Sequence, residues 1–154
     1  MSDVQEPLET DATSDAFPAF VVMDVVNVMF HIPDPHPIIN LQEQVYPFRP
    51  LTLPVGLPEA QAVGLALEGR EGARPSTHEL FASVLRQSRA DVIAVRITDY
   101  QNGTFFAELD LATPQGRVVI DCRPSDGIIL ALRQPVRAPV LCDEEILSFL
   151  NDQS

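Results

Sequence analysis

Residues 91–123 constrain this chain more than any other part: three strand-like runs, 91–100, 104–112 and 117–123, separated by two short turns. Each run is rich in β-branched and other apolar residues, while YQNGT and TPQG between them carry turn formers. Connections this short permit only antiparallel pairing. YQNGT reads as a three-residue hairpin loop with Gly103 in the left-handed position, which sets Tyr100 opposite Thr104. Moving outward, Ile97 then meets Ala107, Val95 meets Leu109, and Ile93 meets Leu111. TPQG sets Ala112 opposite Arg117, so that Leu111 meets Val118, Leu109 meets Ile120, and Ala107 meets Cys122. Apolar faces apolar along the whole meander, and a one-residue slip in either hairpin would bury charge.

The second face follows without further choice. Arg96 lies opposite Glu108, Glu108 opposite Asp121, Thr98 flanks Phe106, and Phe106 faces Arg123. Two carboxylates therefore stand side by side, about 5 Å apart at Cβ in such pairs. Like charges so placed need an answer, and three are open. Arg96 and Arg123 can neutralise Glu108 and Asp121 as a salt-bridge network. A divalent cation, magnesium or manganese, can sit on Glu108, Asp121 and Asp126. The pair can also share a proton. Asp126 falls in the first turn of the helix after RPS, where the helix dipole favours an anion.

The remaining elements are read from their boundaries. Strands are expected over 20–32, 38–45, 49–57 and 139–142, the third irregular or at an edge because of Pro50 and Pro54. A helix starts near Pro58 and stops at Gly69, with a small surface from Ala60, Ala62, Gly64 and Ala66 that invites close packing. In RPSTHELFASVLRQSR, Ser76 and Glu79 have capping-box spacing, and Leu80, Phe81, Val84 and Leu85 form the expected buried stripe. Further helices are expected over 125–134 and 143–150. The sum is an α+β fold: a mainly antiparallel sheet with three to four helices packed against it. Residues 1–18 are acidic and aperiodic and read as a disordered tail before a domain spanning 19–151.

The formal net charge is −12, and all ten basic residues are arginine. Without Asp3, Glu6, Glu9, Asp11 and Asp15 in the tail, the rest still carries −7. Such a surface repels phosphate backbones at long range, so nucleic-acid binding would need a local arginine patch. The longest apolar run is broken by Asp24 and Asn27, which argues against a membrane span, and the N-terminus lacks a signal-peptide pattern. A cytoplasmic location is expected, with Cys122 and Cys142 as reduced core residues.

Four blocks in order, LPEAQAVGLALEG, RPSTHELF, ITDYQNGTFFAEL and IDCRPSDGIILALR, make residues 20–147 resemble the bacterial and plant bifunctional nuclease domain. The resemblance implies low-specificity DNase and RNase activity. Within those blocks stand Glu59, Thr77, His78, Asp99, Glu108, Asp121, Arg123, Ser125 and Asp126. For phosphodiester cleavage, a metal on Glu108, Asp121 and Asp126 would activate water. Arg123, with Arg96 and Ser125, would bind substrate, and His78 would be a general acid. Each has a plain reading as well: His78 as a solvated helix-start residue, Ser125 as a cap, Glu59 as a first-turn anion. His31, Asp34 and His36 have metal-like spacing but lie in a proline-broken loop, where solvation is the default. Two functional classes remain: a metal-assisted nuclease, or a non-catalytic interaction module acting through an acidic surface. The small-residue helix and the proline-bearing strand point to a homo-oligomer.

Overall fold

A computed structural model describes residues 19–30 and 36–153. The tail 1–18, and His31 and Asp34 of the loop, lie outside the described residues. Seven strands form one sheet in the order β3-β2-β1-β7-β4-β5-β6. They are β1 (Phe20–Met29), β2 (Ile38–Glu43), β3 (Pro50–Pro54), β4 (Asp91–Gln101), β5 (Thr104–Thr113), β6 (Gly116–Cys122) and β7 (Val140–Asp143). All neighbours are antiparallel except β4 and β7. Four helices complete the described chain: α1 (Leu57–Leu67), α2 (Thr77–Gln87), α3 (Pro124–Leu132) and α4 (Glu144–Asp152). The α+β expectation therefore holds.

The helices lie on one face of the sheet. Met23, Ile39, Leu41, Leu51, Leu53, Val95, Ile97, Ala107, Leu109, Val140 and Cys142 point into that layer and are buried. α3 packs on β4, β5 and α1; α1 packs on β1; α4 packs on β3, β7 and β4. α3 is buried nearly throughout, and Gly127 explains how it sits so low. A Cβ added there would run into the Val95 side chain and the Cys122 sulfur, so a larger residue would push α3 off the sheet. The small surface of α1 serves the same end, with Ala60, Val63 and Ala66 buried.

The hairpin between β4 and β5 corrects the expected loop. Asn102 and Gly103 form a two-residue turn, both with positive φ, and Gln101 rather than Tyr100 pairs with Thr104. A bulge at Thr98 absorbs the resulting offset, so Ile97 still meets Ala107 and Arg96 still meets Glu108. A second bulge, at Ile93, brings Val92 rather than Ile93 opposite Leu111. The β5–β6 register is as read from the sequence, including Glu108 opposite Asp121.

The α2 stripe is also corrected. The capping box of Ser76 and Glu79 is present, but Leu80, Phe81 and Val84 are exposed; Ala82 and Leu85 are the buried residues. α2 rests on α3 through a narrow face, and no further helix among those described covers its other side.

At the rim of the helical layer, Glu43 is only 5% exposed, and its carboxylate accepts from Arg49 Nε at 2.9 Å and Nη2 at 2.8 Å. Arg49 also donates to both oxygens of Glu144, at 2.8 and 2.7 Å. On the open face, Asp110 is 4% exposed, and accepts from Arg117 at 2.6 Å and from Arg96 at 2.9 Å. The Arg49 hydrogen bonds hold Glu43 and Glu144 below their ordinary range, and Arg117 and Arg96 do the same for Asp110, against the opposing effect of burial. A depressed folded-state pKa stabilises above the unfolded value, about 4, and that contribution is lost as pH falls through the folded value. The urea midpoint should therefore be level with respect to these carboxyls from pH 7 to 5 and drop steeply below about pH 4. A midpoint that stays level to pH 2.5 would show that these pairs do not stabilise the fold.

Candidate functional site

The first turns of three helices meet through their side chains. Glu59 is the third residue of α1, His78 the second of α2, and Asp126 the third of α3. Arg123 is the N-cap residue of α3, in extended conformation, at the point where the chain leaves β6. It donates to Asp126 from Nε at 2.8 Å and from Nη2 at 3.0 Å, which is a two-pronged ion pair. Its third nitrogen, Nη1, lies 3.5 Å from Glu59 Oε2. From the other side, His78 Nε2 lies 2.9 Å from Asp126 Oδ1. Burial pushes the Asp126 carboxyl up, but the hydrogen bonds from Arg123 and His78 outweigh it and hold it below the usual range. The same ion pair raises Arg123.

This arrangement revises the reading of His78 as a solvated residue: its side chain is 19% exposed and paired across helices. The local sequence gives no sign of the partner, which lies 48 residues away. Arg123 stays 62% exposed. Beside it opens a cavity of about 310 Å³, lined by Glu59, Arg123 and Ser125 together with Gly56, Thr104 and Phe105. Ser125 is buried and lies inside α3; the cap position belongs to Arg123.

The other expected residues are elsewhere. Val95, Ala107 and Cys122 face α3, so Arg96, Glu108, Asp110 and Asp121 project from the opposite, helix-free face. Glu108 lies 3.5 Å from Arg96, whose closer partner is Asp110 at 2.9 Å. Sequence reasoning did not single out Asp110, although its alternation with Glu108 was the available signal. Arg123, expected beside Asp121, has turned into the helical layer. Asp126 is likewise separated from Glu108 and Asp121 by the sheet, and its carboxylate is taken by Arg123 and His78. Among the described residues, no group of three or more His, Cys, Asp and Glu is placed to hold a metal ion. The three-carboxylate cation set therefore does not fit this arrangement. Desolvation pushes Cys122 up to about 11 and Cys142 to about 12, so both are protonated thiols at neutral pH.

Fold and site together describe a two-layer α+β domain carrying a histidine–carboxylate–arginine cluster where its helices begin. The family model of the bifunctional nuclease domain matches residues 39–151, and the chain belongs to that family. It is 33% identical over 124 residues to two proteins from different strains of Mycobacterium tuberculosis, named as uncharacterized proteins Rv1829 and MT1877. The match covers 80% of this chain and 72% of each relative. No helix among the described residues is long and apolar enough to cross a membrane.

Proposed function

We propose that the chain is a low-activity, low-specificity phosphodiesterase of RNA and DNA, working at the helix-start cluster. The observation that carries the reading is the His78–Asp126 pair joined to Arg123, an exposed arginine that lines a cavity with Glu59 and Ser125. Asp126 orients the imidazole, which as general acid gives a proton to the leaving oxygen as its P–O bond breaks, while an attacking water forms the new P–O bond and releases its own proton to solvent. Arg123 binds a non-bridging phosphate oxygen through Nη1, the nitrogen whose only hydrogen bond among the described residues is the long one to Glu59. Membership of a nuclease family supports the choice of substrate. The charge of −12 makes encounter with a polyanion slow, which accords with low activity.

A second reading, the non-catalytic interaction module, has its own support. Arg123, Asp126, His78 and Glu59 already satisfy one another, and α2 presents Leu80, Phe81 and Val84 to solvent. Cleavage of single-stranded RNA and DNA by purified protein separates the two. The test uses magnesium, manganese and chelator in parallel, and a proposed divalent-cation requirement would appear as loss of cleavage in chelator. Cleavage that His78→Ala leaves unchanged would not come from this cluster, and the interaction reading would then be favoured.

A further inference from the structure

We propose that β6 is the seam of a twofold homodimer, pairing antiparallel with β6 of a second copy so that the two sheets become one. The sheet has two edges, and they are built differently. β3 is five residues long with exposed Pro50 and Pro54, both of which block pairing. β6 is seven residues long, has no proline, and exposes Val118, Val119 and Ile120, the middle one at 53%. An open apolar edge of this kind is a template for another strand.

The sequence of that edge, Arg117-Val118-Val119-Ile120-Asp121, is complementary to itself. Antiparallel pairing centred on Val119 puts Val119 against its twin, Val118 against Ile120 of the other copy, and Arg117 against its Asp121. Residues directly opposite share a face. Arg117, Val119 and Asp121 lie on the open face of the sheet, and Val118 and Ile120 on the helical face. Charge therefore meets opposite charge on one side of the seam, and apolar meets apolar on the other. A parallel pairing in register would instead oppose Asp121 to Asp121.

Asp121 gives the second, independent reason. It stands beside Glu108, and its side chain makes no hydrogen bond or ion pair among the described residues. The arginine expected to answer it, Arg123, is committed to Asp126. Arg117 donates to Asp110 through Nε and Nη2, which leaves Nη1 to reach Asp121 of the second copy. The seam supplies the missing counter-charge twice, as an isologous contact must.

The test is the mass of the full-length protein by analytical ultracentrifugation, with register read by crosslinking. The wild type should sediment as a dimer. Asp121→Arg turns two attractive contacts into repulsive ones and should weaken dimerisation about tenfold or more. Asp121→Asn should weaken it less. Under mild oxidation Val119→Cys should form a covalent dimer, because only that position faces its own twin. Val118→Cys and Ile120→Cys should not. A monomeric wild type, a dimer indifferent to Asp121→Arg, or crosslinking no greater at position 119 than at 118 and 120 would each overturn the proposal.

Discussion

Arg123→Ala is expected to lower nucleic-acid cleavage about a hundredfold, the usual cost of removing one preorganised charge from a phosphoryl site. The loss should appear mainly in KM if Arg123 holds the phosphate equally in ground and transition states, and in kcat if it meets only the transition-state charge. Arg123→Lys should recover little, because an ammonium cannot hold Asp126 with two prongs and a phosphate with the third. His78→Ala should reduce kcat by about 10²-fold. Asp126→Asn leaves the imidazole without a carboxylate partner and should lower kcat as well. Circular dichroism must be unchanged in each variant. Equal activity in all of them, with substrate saturable, would remove the cluster from catalysis.

The largest effect on stability is expected from Arg49→Ala. Glu43 is almost completely buried, and Arg49 is the partner of both its oxygens, so the substitution strands a carboxylate in the helical layer. Breaking a buried pair from one side costs about 3–5 kcal/mol. Glu43 is the last residue of β2, near the rim, where water can enter once the guanidinium is gone, so the low end applies, about 3 kcal/mol. For a domain of this size that lowers Tm by about 5–10 °C. Glu43→Gln in the same background should restore part of the loss, since a neutral amide is far easier to leave there than a carboxylate. If Arg49→Ala alone melts with the wild type, the network is decoration rather than support.

Much of the fold was legible because its signals are local. The capping box at Ser76, the turn at Asn102 and Gly103, and the alternation in 104–122 each lie within a few residues of what they specify. The sheet register could even be read despite a wrong loop length. The error of one residue in the turn was cancelled by the bulge at Thr98, which keeps the apolar residues of β4 on the buried face. The buried face fixes parity more firmly than turn type does. The α2 stripe failed for the opposite reason: an apolar periodicity shows which face is able to be buried, not whether another element arrives to bury it.

The strands, the helices, the capping box of α2 and the pairing of Glu108 with Asp121 are set locally, by periods of two and 3.6 residues and by turn chemistry, whereas the N-cap of α3 falls on Arg123 and not on Ser125. Which charges answer one another is settled by how distant segments pack. Whether Arg123 meets Asp121 or Asp126 turns on the direction in which the chain leaves β6, and whether His78 is solvated or paired depends on how α2 settles against α3. Electrostatic partnership is a matter of a few ångströms between segments far apart in the chain, and no local pattern encodes that distance.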